Sequence, residues 1–298
     1  MSTRLPPHMS APSISVNLYS ERDLEAPQLL SFAGAQVALY SRRSPERQTV
    51  NQDSAAVVEL PGGIGVLMVA DGVGGMQSGH HASAVAVESL SAAIQRFHGE
   101  KNPGEKSQLR SLILDGFEAA NHQLCDMGAN SATTLAVVEI SEDRVRPYHV
   151  GDSMILLCGQ RGKLHWQSIS HSPVGYAVES GLMDEEDAMS HPDRHIVSNI
   201  VGCSEMRIEI GPPLTMGPRD TLLLCSDGLS DNLSTDEIIE IIRCGDLVAA
   251  VQKLVDVATV RMQAPPSQTS HPSKPDDLTI VAYRRGSDRG REAAPEES

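Results

Sequence analysis

The sequence predicts an α+β protein in which antiparallel sheets are faced by pairs of helices. Segments typical of strands and helices do not alternate one for one, as a doubly wound parallel sheet would require. Their order is strands, two helices, many strands, two helices and one strand. Hydrophobic residues make up 40% of the 298 residues, enough for a large core, but only 3% are aromatic. The core is therefore expected to consist of Val, Ile, Leu, Ala and Met.

The first half of the chain predicts three strands followed by two helices. The strands are expected at 35–40, 54–60 and 64–70, and Pro61-Gly62-Gly63 forms a turn between the last two. Apolar residues then fall on one helical face at 81–97 and again at 106–127. Residues 1–33 show no convincing periodicity and are predicted to be a flexible N-terminal lead-in.

The second half predicts many strands, two helices and one last strand. The strands are expected at 132–140, 144–150, 154–158, 163–169, 207–210, 221–225 and 278–283. A capping-box pattern from Ser234 to Glu237 opens a helix that runs to about residue 243, and a second helix covers 246–262. The predicted domain is 34–285, and residues 286–298 are expected to form a disordered tail.

Composition excludes several classes of protein. The chain has 24 basic and 39 acidic residues, a formal net charge of -15, which makes nucleic acid an unsuitable partner. The five cysteines are scattered and odd in number, which suits a reducing compartment and implies neither a disulfide framework nor a zinc site. The longest apolar run, 64–70, is far too short to span a membrane, and residues 1–16 do not read as a signal peptide. A cytoplasmic location is therefore expected.

Aspartates recur at the ends of the predicted strands, mostly beside glycine. Asp next to Gly commonly marks a turn, and for any one residue that interpretation is as good as a functional one. Taken together, the residues favour a site, because converging carboxylates are the ligands that Mg²⁺ or Mn²⁺ requires. Two such ions can activate water and neutralise a phosphoryl group. The aspartates are Asp53, Asp71, Asp152, Asp227, Asp276 and Asp277.

Five short segments resemble, in order and spacing, the motif set of the metal-dependent protein phosphatases (the PPM family, type 2C). They are Asn51-Gln52-Asp53, Val69-Ala70-Asp71-Gly72-Val73-Gly74-Gly75, Val150-Gly151-Asp152-Ser153, Cys225-Ser226-Asp227-Gly228-Leu229 and Asp276-Asp277-Leu278-Thr279. Ser131-Ala132-Thr133-Thr134 also resembles a strand start of that family. The resemblance covers roughly residues 35–285. It implies a four-layer αββα fold, an antiparallel β-sandwich flanked by pairs of helices.

The resemblance also implies an activity and a set of metal ligands. The activity is hydrolysis of phosphoserine and phosphothreonine in proteins by a metal-activated water, with two Mn²⁺ or Mg²⁺ ions, or three. Asp277 stands where asparagine is more usual, so either it or Asp276 could bind metal, and Asp276 is favoured. The resemblance implies that Asp71 bridges two ions and that the carbonyl of Gly72 binds one of them. Asp227 and Asp276 are implied as direct ligands. Asp53 is implied to hold metal-bound water, and Asp152 to help bind a third ion.

A phosphate anchor is expected among the arginines before Asp53. Arg47 is the favoured candidate, because a guanidinium pairs well with phosphate oxygens. It lies six residues before Asp53, where many family members place an arginine five residues before. Arg42 or Arg43 could take this role instead.

Residues 172–196 match the place where the family inserts a variable flap beside the metals. Glu179 and 184–187 make this segment acidic, so it is expected to favour basic phosphopeptides, although a solvated loop without a role is the alternative. The expected partners are phosphorylated proteins, substrates of a serine/threonine kinase, with no nucleic acid and no membrane, and the chain is expected to be a monomer. Two other functions stay open: a two-metal phosphatase of small phosphoesters, and a catalytically silent module that binds phosphoproteins.

Overall fold

In a computed structural model of the chain, fourteen strands and seven helices form within the described residues. These residues are 14–32, 34–46, 48–73, 79–97, 106–128, 131–264 and 272–285. The strands are β1 (Ser15–Ser20), β2 (Gln28–Phe32), β3 (Ala35–Arg42), β4 (Asp53–Leu60), β5 (Ile64–Val73), β6 (Ala132–Thr133), β7 (Leu135–Ser141), β8 (Arg144–Val150), β9 (Met154–Cys158), β10 (Leu164–Gln167), β11 (Glu209–Ile210), β12 (Leu214–Thr215), β13 (Thr221–Cys225) and β14 (Leu278–Arg284). The helices are α1 (Gly79–Ile94), α2 (Lys106–Met127), α3 (Pro173–Glu179), α4 (Glu185–Ser190), α5 (Asp227–Ser230), α6 (Thr235–Ile242) and α7 (Leu247–Gln263).

The strands form two antiparallel sheets. The first has the order β1-β4-β5-β7-β8-β11, with β6 paired to β5 and β12 paired to β8. The second has the order β10-β9-β13-β14-β3-β2. Central strands such as β4 and β13 are buried along nearly their whole length, because both faces of each sheet are covered.

Three hydrophobic clusters make the layers visible. One packs α1 and α2 on the first sheet and includes Phe117 and Leu90. Another packs α6 and α7 on the second sheet and includes Ile238 and Leu254. The third lies between the sheets. Successive residues of β4 point into different layers: Ala56 packs in the cluster with the helices, and Val57 packs in the cluster between the sheets. The four-layer α+β fold expected from the sequence is therefore confirmed.

The prediction of a flexible lead-in over residues 1–33 is wrong for much of that segment. β1 pairs with β4 along its full length, and β2 pairs with β3. Both are edge strands with mixed burial, so neither carries the alternation of apolar residues that marks a half-buried strand. Residues 1–13 and the predicted tail 286–298 lie outside the described residues.

The structure also divides two of the predicted segments into smaller elements. The single strand predicted at 132–140 is broken at Thr134 into β6 and β7. The predicted flap contains two short helices, α3 and α4, each capped by a side chain, Ser172 and Asp184. None of the helices in the described part of the chain is long and apolar enough to cross a membrane.

Candidate metal centre

Asp53 and Asp71 lie side by side at one end of the first sheet. They are partners in the antiparallel pairing of β4 with β5. Asp53 is only 1% exposed, and Ser226 from the second sheet donates a hydrogen bond to its Oδ2 at 2.7 Å. Within the described residues, Oδ1 of Asp53 is buried without a hydrogen-bond partner. Burial, followed by the nearby charge of Asp277, raises the pKa of Asp53 well above its usual range.

The backbone of Asp71 is held by the two threonines at the break between β6 and β7. The Thr133 hydroxyl and the Thr134 N–H both donate to the Asp71 carbonyl, at 2.7 and 2.8 Å. The Asp71 N–H donates to the Thr134 hydroxyl at 2.9 Å. These hydrogen bonds use only the backbone groups of Asp71, so they fix its position without occupying its carboxylate. This is the structural reason for the small-residue segment at 131–134.

Gly72 packs directly against the start of α1. A Cβ atom at Gly72 would lie 2.2 Å from the carbonyl oxygen of Gly79, so only glycine fits. This contact brings the first turn of α1 against the end of β5. The glycines at 74 and 75 in the same motif lie in the stretch 74–78, outside the described residues.

Asp152 stands in the turn after β8. Gly151 ahead of it has φ +106°, and a Cβ there would lie 2.6 Å from the Thr134 side chain, so both space and backbone conformation require glycine. Burial, then the charges of Asp227 and Asp231, raise the pKa of Asp152 to about 7. The Thr134 and Ser153 hydroxyls are 2.6 Å apart, which joins this turn to the break between β6 and β7.

The remaining candidates come from the second sheet and approach the same point. Asp227 follows β13, and Asp276 precedes β14, the strand that pairs with β13. Burial raises the pKa of Asp71 well above its usual range, and the charges of Asp227, Asp53, Asp276 and Asp152 raise it further, in that order. Strand ends from both sheets thus bring five of the six candidate aspartates, Asp53, Asp71, Asp152, Asp227 and Asp276, into one cluster.

Asp276 and Asp277 have different surroundings. The Asp277 carboxylate is buried and accepts hydrogen bonds from the backbone N–H groups of Ser44 and Gln52, both at 2.7 Å. Asp276 faces the cluster, with its Oδ2 3.6 Å from the ammonium of Lys274. The geometry therefore favours Asp276 as the ligand and gives Asp277 the task of holding the chain on either side of residue 47.

Arg47 itself lies outside the described residues. The alternatives named above lie near other groups: Nε of Arg43 is 3.2 Å from the Asp23 carboxylate, and the charge of Arg42 acts on the pKa of Tyr40. Arg43 is also half exposed.

The cluster suits divalent cations. Its donors are hard carboxylate oxygens, the type that Mg²⁺ and Mn²⁺ prefer. Each carboxylate raises the pKa of its neighbours, so the ionised cluster is unfavourable without cations. The unpartnered Oδ1 of Asp53 is a further oxygen that a metal-bound water would satisfy.

Two residues of the cluster were missed by the sequence analysis. Asp231 follows Asp227 by four residues, a spacing that puts both on one face of a helical turn, and this signal was available. Lys274 lies in a segment rich in Pro, Ser and Thr that reads as a linker, and nothing in the sequence marks it. Although burial alone would lower its pKa, Asp227, Asp231 and Asp276 raise the pKa of Lys274 above its ordinary value.

A second group of potential ligands, His149, His171 and Glu209, holds backbone in place. The Nδ1 of His171 accepts hydrogen bonds from the Gly151 N–H at 3.0 Å and from the Asn199 amide at 2.9 Å. Its proton must therefore be on Nε2, which donates to Glu209 at 3.1 Å. Both ring nitrogens are used, so His171 fixes the turn that carries Asp152 and is a poor metal ligand.

A cavity of about 520 Å³ opens beside the cluster. It extends from Asp152 and Asp227 to the flap, whose Val174 and Met189 supply apolar lining. Glu179 and Asp236, both exposed, stand at its acidic side. Its volume and mixed lining are those of a site for a small ligand or one or two side chains.

Comparison with known proteins agrees with this geometry. The family described as Protein phosphatase 2C matches residues 42–263. A protein described as protein phosphatase 2C-type from Streptococcus pyogenes is 30% identical over 225 residues, 72% of this chain and 88% of that protein. The serine/threonine phosphatase stp of Listeria monocytogenes is 32% identical over 197 residues, 65% of this chain and 77% of that protein.

A solved structure supports the same assignment. The S. agalactiae serine/threonine phosphatase superposes with a TM-score of 0.72 at 26% identity, covering 85% of this chain and all of that one (100%). The length of the family match and the identity to curated relatives leave one assignment: the chain belongs to the protein phosphatase 2C family.

Proposed function

We propose that this chain is a metal-dependent protein serine/threonine phosphatase. The observation that carries the proposal is the meeting of Asp53, Asp71, Asp152, Asp227 and Asp276 at one end of the two sheets. The names of the streptococcal and Listeria relatives support the same activity. When bound, two divalent ions would supply an activated water and neutralise phosphoryl charge.

The residues of the chain have separate tasks in this proposal. Asp71, Asp227 and Asp276, with the carbonyl of Gly72, hold the Mn²⁺ or Mg²⁺ ions, and Asp53 orients water beside them. Thr133 and Thr134 fix the backbone of Asp71, and His171 fixes the turn before Asp152. Arg47 binds the substrate phosphate. The domain predicted at residues 34–285, with its flap at 172–196, is extended in this proposal to include β1 and β2, which pair with its sheets.

The proposal also includes the substrates, the oligomeric state and the cellular location of the protein. The substrates would be phosphoproteins made by a serine/threonine kinase, and the enzyme would act as a monomer in the cytoplasm. The five cysteines are free thiols, as a reducing compartment favours. A silent binding module is disfavoured because every candidate carboxylate is present. A phosphatase of small phosphoesters is disfavoured by the similarity to enzymes named serine/threonine phosphatases.

The direct test is phosphate release from a phosphothreonine peptide with Mn²⁺, with Mg²⁺ and with excess chelator. We expect release with at least one ion and none with chelator. A phosphorylated sugar and a small aryl phosphate are assayed in parallel. Faster turnover of the sugar phosphate than of the peptide, in kcat/KM, would favour the small-phosphoester alternative, and metal binding without any turnover would favour the silent module.

Arg47→Ala is expected to raise KM for the phosphothreonine peptide at least about tenfold. The variant removes a charge-assisted contact to phosphate that contributes about 1.5–3 kcal/mol. Steady-state kinetics measure the effect, and Arg43→Ala is the matched control, since Arg43 is paired with Asp23. If Arg43→Ala raises KM and Arg47→Ala does not, the phosphate anchor is Arg43.

Removing charge from the acidic side of the cavity is expected to change peptide preference. In the double variant Glu179→Gln, Asp236→Asn, we expect kcat/KM for basic phosphopeptides relative to acidic ones to fall severalfold, because local repulsion and attraction are both weakened. Hydrolysis of a small aryl phosphate, which carries no peptide side chains, should be unchanged.

The matched control is Glu118→Gln, Asp126→Asn on the exposed face of α2, which removes the same charge far from the cavity. An equal response of both peptides and the aryl phosphate would show that the flap supports the fold or the metals and does not select substrates.

A further inference from the structure

Lys274 places its ammonium group among the aspartates of the metal centre. Its Nζ donates to Oδ2 of Asp227 and, at 2.6 Å, to Oδ2 of Asp231. The Asp276 carboxylate is farther away, at 3.6 Å. Only 20% of the Lys274 side chain is exposed, so the charge is largely removed from water and depends on these carboxylates.

The backbone of Lys274 is fixed so that its side chain points into the site. The fully buried Asn232 accepts a hydrogen bond from the Lys274 N–H at 3.0 Å and donates to the Lys274 carbonyl at 2.9 Å. The same amide group donates to the Gly228 carbonyl at 2.9 Å, which ties the segment to α5. Arg194 of the flap donates to the Ser273 carbonyl at 3.2 Å. Lys274 is therefore held in place by buried contacts and is not a mobile surface lysine.

Asp152, Asp227 and Asp231 line the same cavity, and the ammonium of Lys274 binds the last two of them. The carboxylate of Asp152 interacts electrostatically with Asp227, Asp231 and Lys274. The charged groups that act most on Asp71 are instead Asp227, Asp53, Asp276 and Asp152. The side near Asp152 is where a third divalent ion was expected from the sequence. An ammonium and a third divalent ion cannot occupy the same position beside these carboxylates.

We infer that Lys274 is a built-in cation that takes the place of a third divalent ion beside Asp152, so that this phosphatase works with two ions and one ammonium. The inference rests on the proposed function. Lys274 is a positioning residue here: it neutralises Asp231 and orients Asp227, which also faces the metals. Because the cation is covalently attached, this side of the centre is filled at any metal concentration.

The test counts Mn²⁺ ions bound per chain, by equilibrium dialysis and elemental analysis, up to metal concentrations at which weak sites fill. We expect two ions in the native chain and three in Lys274→Met, which keeps most of the length of the side chain and removes its charge. Lys274→Arg should bind two ions, and Lys274→Met combined with Asp152→Asn should return to two. Lys253→Met, at an exposed position of α7, is the matched control and should bind two.

Thermal unfolding in chelator gives a readout that does not depend on activity. Lys274→Met should lower Tm, because Asp227 and Asp231 lose their counter-ion, and Lys274→Arg should restore it. Three ions in the native chain would overturn the inference, since the ammonium would then leave when metal binds. Two ions in a folded Lys274→Met would overturn it as well.

The count in the native chain needs no variant, so poor folding of Lys274→Met would not remove the test. Metal-dependent hydrolysis together with either of these contrary counts would remove this inference and leave the proposed function intact. Two bound ions without hydrolysis of any phosphopeptide would remove the proposed function instead.

Discussion

Asparagine in place of Asp71 is expected to reduce phosphate release to the uncatalysed background while leaving the domain folded. Asp71 lies at the centre of the cluster, and asparagine keeps its shape but removes the charge that would bind the ions. Because burial and the neighbouring aspartates raise the pKa of Asp71, its ionised form is unfavourable in the metal-free protein. Without metal, the Tm of Asp71→Asn should therefore equal or exceed that of the native chain.

The measurements are phosphate release with Mn²⁺, Mn²⁺ binding, and thermal unfolding in chelator. The matched control is Asp126→Asn, an exposed position of α2 far from the cluster, which should be fully active. Native turnover by Asp71→Asn, or by the native chain in excess chelator, would contradict hydrolysis at a metal centre. A large loss of metal-free Tm would show that Asp71 is structural.

Alanine in place of Asp277 is expected to lower the free energy of unfolding by about 3 kcal/mol or more in the absence of metal. The Asp277 carboxylate accepts hydrogen bonds from the backbone N–H groups of Ser44 and Gln52. Its removal leaves both buried donors without a hydrogen-bond partner. Urea unfolding in chelator measures the change. Since these bonds hold the chain on both sides of residue 47, KM for the phosphopeptide should also rise.

Asp276→Ala is the matched comparison for Asp277→Ala. This neighbouring change should weaken Mn²⁺ binding severely but alter the metal-free stability much less, because Asp276 is only partly buried and its charge is opposed by the other carboxylates of the cluster. The reverse pattern, with weak metal binding in Asp277→Ala and lost stability in Asp276→Ala, would exchange the two assignments.

The architecture was largely predictable because the central strands are covered on both faces. Such strands can be apolar along their length, so the segments at 154–158 and 221–225 were visible as short apolar runs and have the predicted bounds. The helix at 106–127 was likewise visible from its apolar face. Long-range pairing decided the edges. β1 has exposed and half-buried residues in no regular alternation, and it forms a strand because it pairs with β4 along its whole length.

The sequence by itself determined the layers, the end of the sandwich at which the aspartates meet, and the ligand type they offer, because these follow from local periodicity and from carboxylates placed at strand ends. Only the tertiary structure decided which of two adjacent aspartates faces the cluster, since that depends on N–H groups from a distant part of the chain that bind Asp277. It also decided the position of Lys274. Its ammonium reaches Asp227 across 47 residues of chain because Asn232 clamps its backbone, and no local pattern encodes such a contact.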